Sequence, residues 1–96
     1  MHVPIKVDYG VRALIDLAMY GEDGLFVRAA DSSRRAVIPQ PYLAQVLHTM
    51  KKSGLVSSTR GPGGGHCLAM PADQIRLSAV VDCLDSSENL VECLDN

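Results

Sequence analysis

Ninety-six residues, 47% of them apolar and 21% charged, suffice for one domain whose hydrophobic core needs neither disulfides nor a metal. With one Phe, three Tyr and no Trp, that core must be mostly aliphatic. No apolar run approaches the roughly 20 residues that span a bilayer, no signal segment opens the chain, and three cysteines are too few for a disulfide framework, so a cytoplasmic protein is expected.

The net charge of −2 hides an uneven distribution. Residues 1–71 carry eight Lys/Arg and five Asp/Glu, whereas residues 72–96 carry one basic and six acidic residues. Between Arg28 and Arg60 stand six basic side chains, Arg28, Arg34, Arg35, Lys51, Lys52 and Arg60, against Asp31 alone. Local field rather than net charge steers an anionic partner. A solvated charged face would account for the same run.

The first helix is expected from Ile5 to Tyr20, with Val7, Val11, Leu14, Ile15 and Ala18 as its apolar stripe. Gly21 and Gly24 end it. Gly10, inside it, costs about 1 kcal/mol relative to Ala. Leu25-Phe26-Val27 reads as a short apolar entry or a small strand. A second helix over Arg28 to Ala36 has a weak pattern: Ala29, Ala30, Ser32 and Ser33 offer little to bury. Pro39 disfavours helix at Ile38 and closes it.

The third helix, about 40–53, is the clearest element. Leu43, Val46, Leu47 and Met50 fall at i, i+3, i+4 and i+7. Gln40 is a polar cap candidate, Pro41 suits the first helical position, and Gly54 stops the helix after Lys51 and Lys52. The opposite face shows Tyr42, Gln45, His48 and Thr49, side chains that can hydrogen-bond base edges or phosphates, or simply face water.

Two short strands follow, Leu55-Val56-Ser57-Ser58 and His66-Cys67-Leu68-Ala69, joined by a loop from Thr59 to Gly65. Arg60 is the only charge on that slim glycine loop, and such an arginine can enter a minor groove. A flexible surface loop is the plain alternative. A phosphate cradle fits poorly, since no Lys-Ser/Thr follows the glycines. One turn is expected near Pro71 to Ile75, then a helix capped by Ser78 and running through Leu84, with Val80, Val81 and Leu84 facing the core. The fold class is mostly α with a small β-hairpin, a winged helix-turn-helix.

Asp8-Tyr9-Gly10-Val11-Arg12-Ala13-Leu14, Ile38-Pro39-Gln40-Pro41-Tyr42-Leu43, Gly54-Leu55-Val56-Ser57-Ser58 and Arg60-Gly61-Pro62-Gly63-Gly64-Gly65 stand in the order and spacing of a known family. Across essentially its whole length the chain resembles the Rrf-type winged-helix transcription regulators. The resemblance implies a homodimeric regulator of double-stranded DNA, its third helix in the major groove and its wing (59–65) in the minor groove. It places wing roles on Arg60, Gly61 and Pro62, and helix roles on Gln40, Tyr42 and Gln45. His48 and Thr59 join them by face and proximity. Two departures stand out: the family usually has a bulky apolar residue where Ser32 stands, and a Gly where Val37 stands.

Many family members hold an iron–sulfur cluster through three cysteines before a long dimerisation helix, and Cys93 sits where the first would lie. The resemblance thus divides the chain into a DNA-binding domain over 1–85 and the start of a truncated sensing and dimerisation segment over 86–96. No cofactor is expected in this chain alone; an iron–sulfur cluster with Cys93 as a ligand, and the homodimer, are expectations for a longer parent. Cys67 and Cys83 read as buried small hydrophobes. No Ser-His-Asp or Cys-His set points to an enzyme, and neither a membrane nor a small-molecule substrate is expected. The alternative class is a winged-helix module that binds protein, favoured by the acidic end of the chain.

Overall fold

The computed structural model describes residues 4–21, 25–61 and 64–85. Its elements are α1 (Ile5–Tyr20), α2 (Ala29–Ala36), α3 (Gln40–Lys52), β1 (Val56–Thr59), β2 (Gly65–Leu68), a 3₁₀ turn (Ala72–Gln74) and α4 (Leu77–Asp85). The helices surround an aliphatic core, and the two strands form an antiparallel hairpin beside it. This is a winged helix-turn-helix. Among the described residues no helix is long and apolar enough to cross a membrane.

Helix α1 has its expected bounds but not its expected face. The buried apolar positions are Val7, Ala13, Leu14 and Leu17, while Ile15 is 54% exposed and Val11 and Ala18 are half-buried. Small residues decide the matter. A Cβ on Gly10 would collide with Leu84 Cδ1 and lie 3.6 Å from Met50 Sδ, so Gly10 lets α4 and α3 approach closely. Its helical cost is offset by packing that no single-helix pattern shows.

Helix α2 is short and ends at Val37, the one non-glycine with positive φ among the described residues (φ 57, ψ 55). Ser32, expected to offer little to bury, is buried, for a polar reason given below. Ser33 Oγ donates to the Ile38 carbonyl and steadies the turn into α3.

Helix α3 buries Leu43, Val46, Leu47 and Met50 as its periodicity requires. Its start differs by one residue from expectation. Extended Pro39 occupies the cap position, its carbonyl accepting from Leu43 N at 3.0 Å, so Gln40 is the first helical residue and Pro41 the second. At the other end Gly54, with φ 83, lets Leu55 N reach back to the Met50 carbonyl at 2.9 Å.

Both strands are displaced by one residue from the expected ranges. Val56 pairs with Leu68, Ser57 with Cys67, Ser58 with His66 and Thr59 with Gly65. A bridge between Val27 and His66, with N···O distances of 2.7 and 2.8 Å, lays the expected apolar entry beside β2. Gly65 is required there, because a Cβ would strike the Val27 carbonyl. Helix α4 begins at Leu77, with the Arg76 carbonyl accepting from Ala79 and Val80. Ser78 therefore lies within the first turn instead of capping it. Val80, Cys83 and Leu84 are buried and Val81 is partly so.

Candidate nucleic-acid interface

The outward face of α3 follows from its inward one. With Leu43, Val46, Leu47 and Met50 committed to the core, Gln40, Tyr42, Gln45 and His48 are left exposed. Tyr42, Gln45 and His48 lie three residues apart and so share one side of the helix. Thr49 is half-buried at its edge. Tyr42, 54% exposed, is not loose: its ring lies 6.1 Å from that of Tyr9 on α1, tilted by 41°. Arg12 sits over the other partner, 5.2 Å from the Tyr9 centroid.

The turn at Ser53–Leu55 carries α3 directly into β1. Thr59 is the last paired residue of the ladder, and Arg60 is the first beyond it, exposed. Gly61 follows with φ 105, and its carbonyl accepts from Gly64 N at 2.9 Å. Glycine at that φ turns the chain where a side chain would be strained. Pro62, expected in the wing, lies outside the described residues.

The local field is smaller than the run of basic residues suggests. Arg34 pairs with Asp31 at 3.0 Å, and Arg35 pairs with Asp16 of α1 at 2.7 Å. Lys51 and Lys52 stand exposed on the last turn of α3, where the helix dipole favours cations. His66, on β2, is held below its ordinary pKa of 6.5 by burial and then by the charge of Lys51. Its Nδ1 is buried and has no hydrogen-bond partner. A neutral imidazole therefore stands at the foot of the wing at neutral pH.

Three groups that the sequence reading missed lie behind this surface. Asp16, only 6% exposed, accepts from Ser32 Oγ (2.6 Å), Arg35 Nε (2.7 Å) and Arg35 Nη2 (3.0 Å). Burial alone would raise the Asp16 pKa; the hydrogen bonds from Arg35 and Ser32, with the charge of Arg35, outweigh it and hold the carboxyl below its usual value. The same contact holds Arg35 above its own. The Arg35 guanidinium also stacks 4.0 Å from the Tyr20 centroid. Arg12 donates to the Ala36 carbonyl at 2.8 Å and to Asp8 at 2.7 Å. The 8, 12, 16 spacing of these charges on α1 was the available signal.

Cys67 on β2 is half-buried, less covered than expected, and Cys83 on α4 is buried. Burial pushes the Cys83 thiol up, against a hydrogen bond from Ser53. Among the described residues no three His, Cys, Asp or Glu side chains gather into a metal-binding group. Cys93 lies outside the described residues.

The model of a family described as an iron-dependent transcriptional regulator, Rrf2, matches residues 4–96. The chain belongs to the Rrf2 family. It is 40% identical over 93 residues to the HTH-type transcriptional regulator IscR of Erwinia tasmaniensis, covering 97% of this chain and 56% of that protein. IscR of Yersinia enterocolitica matches equally. The chain thus spans little more than half the length of these Rrf2 relatives. Among solved structures, CymR, the global cysteine regulator of B. subtilis, superposes with a TM-score of 0.82 at 25% identity, covering 88% of this chain and 65% of that one. T. potens IscR superposes with a TM-score of 0.81 at 31% identity, covering 99% and 74%.

Proposed function

We propose that this chain is the DNA-reading part of a transcription regulator that acts as a homodimer in a longer parent. In this reading residues 1–85 bind double-stranded DNA and residues 86–96 begin a sensing and dimerisation segment. One observation carries it: a single winged-helix frame of the Rrf2 family exposes both the polar face of α3 and Arg60 at the root of a glycine wing. Gln40, Tyr42, Gln45 and His48 offer donors and acceptors to base edges in a major groove. Thr59, Arg60 and Gly61, with Pro62 next in the sequence, bring a single charge suited to a minor groove, where narrow A·T tracts concentrate negative potential.

The family's description as iron-dependent favours a parent that responds to iron; in this reading Cys93 would be one cluster ligand. The described residues supply no ligand set for a cluster. DNA reading as proposed here runs through none.

Arg60→Ala should weaken binding most on duplexes with A·T pairs facing the wing, measured by anisotropy titration. An equal loss on every duplex would reduce Arg60 to a phosphate contact. Binding should also fall steeply with added salt, because contacts to phosphates release counterions. Absence of duplex binding at low salt would overturn the reading.

A further inference from the structure

Arg12 and Asp16 are one turn apart on α1, a spacing at which opposite charges commonly pair with each other. Here both reach across to α2. Asp16 grips the middle of that helix, accepting from Ser32 and Arg35. Arg12 grips its end: Nη1 donates to the Ala36 carbonyl at 2.8 Å and lies 3.4 Å from that of Val37. Those carbonyls are among the acceptors that a helix end leaves without an internal partner. Val37 is the left-handed residue of the turn, and α3 starts three residues later. Arg12 also covers the Tyr9 ring, and Tyr9 meets Tyr42 in the first turn of α3. The guanidinium therefore reaches both sides of the turn, directly on α2 and through an aromatic pair on α3.

We infer that Arg12 and Asp16 are positioning residues for the first turn of α3, and through it for the presentation of Gln40 and Tyr42 to DNA. The DNA part rests on the proposed function; the part concerning the turn does not. Neither side chain needs to touch the nucleic acid. Asp16 would repel phosphate and is buried, and Arg12 is occupied by Asp8, Ala36 and the Tyr9 ring.

Arg12→Gln and Asp16→Asn test the inference in two arms, with Ser32→Ala in reserve should Asp16→Asn fail to fold. In the first arm, amide hydrogen exchange is followed without DNA. Faster exchange at residues 37–43, beyond any change in α4, is expected; a uniform rise over all helices would reduce the contacts to general stabilisation and overturn the inference. In the second arm, affinities are compared for a duplex selected by the wild-type protein from a random pool and for its scrambled counterpart. The ratio should fall about tenfold, the scale of one lost base contact. The slope of log affinity against log salt should not change. A slope reduced by about one in Arg12→Gln would make Arg12 a phosphate contact and overturn the positioning role. If the wild-type protein binds no duplex, the proposed function fails, and the exchange arm decides the positioning of the turn alone.

Discussion

Helix α1 treats its neighbours in two ways. Towards α3 and α4 it presents Gly10, and its buried Val7, Ala13, Leu14 and Leu17 join the hydrocarbon core. Towards α2 it presents Arg12 and Asp16, and the contact is made of hydrogen bonds and charge. The difference begins in α2 itself: AADSSRRA has no large apolar side chain to bury. Apolar burial is non-directional, whereas a hydrogen bond weakens steeply as its angle departs from linear. The aliphatic side therefore supplies most of the stability, and the polar side fixes an angle. That division suits a helix-turn-helix, in which the placement of α3 matters as much as its folding.

The largest expected effect tests the aliphatic side. Leu43 is fully buried at the centre of the core. Leu43→Ala should cost about 3 kcal/mol through lost transfer energy and an unfilled cavity, read from the urea midpoint. Were Asp16→Asn to cost as much, the contrast between the two sides of α1 would collapse.

The expected cost of Asp16→Asn is smaller, about 1–2 kcal/mol, because the amide keeps one acceptor for Ser32 or Arg35. Its pH signature is specific. The folded pKa of Asp16 lies below the ordinary 3.8, so the pair's contribution is fully present above that value. As pH falls below it, the unfolded chain takes up its proton first, and the contribution is lost as pH passes the folded pKa. The stability gap between wild type and Asp16→Asn should therefore be constant near neutrality and shrink in acid below about pH 4. A gap independent of pH throughout would show that packing, not charge, holds α2 against α1.

The aliphatic side was legible in the sequence and the polar side was not, for a physical reason. Periodicity reports which residues avoid water, so Leu43, Val46, Leu47 and Met50 placed α3 correctly, and Gly54 and the glycine loop placed its end and the wing. On α1 the apolar residues wrap more than half the helix, and two stripes compete. What chooses between them is Gly10 against Leu84, a contact 74 residues away in the chain that no local pattern contains. Asp16 sits between Ile15 and Leu17 and looks like an interruption of the stripe. Only its partners Ser32 and Arg35 make it a core residue. Ser32 itself appeared as a departure from the family; it is the hydroxyl that Asp16 requires. Tyr42, Gln45 and His48 were placed correctly on α3 and Arg60 beyond the first strand, because exposure follows from the buried face, whereas Gln40, read as a cap, is the first residue of α3 and Thr59, read as loop, ends β1. The field around them was overstated, because Arg34 and Arg35 are paired with carboxylates.

The smallest expected effect lies at the turn where the polar side ends. Val37 is 75% exposed, so its side chain contributes little burial, yet its backbone is left-handed. A β-branched residue there is strained, by about 1–2 kcal/mol. Glycine removes that strain but enters folding with a more flexible unfolded chain, which returns part of the gain. Val37→Gly should therefore raise stability by up to about 1 kcal/mol, seen as a higher urea midpoint with unchanged slope. A lower midpoint would mean that the valine makes a contact worth more than its strain. A gain also sharpens the contrast within the molecule. It would mean that Arg12, bound to the carbonyls on either side of this residue's amide, holds closed a turn that valine strains open. Arg12→Gln should then cost less in the Val37→Gly background than in the wild type, and equal costs in the two backgrounds would separate the strain of the turn from the grip of Arg12.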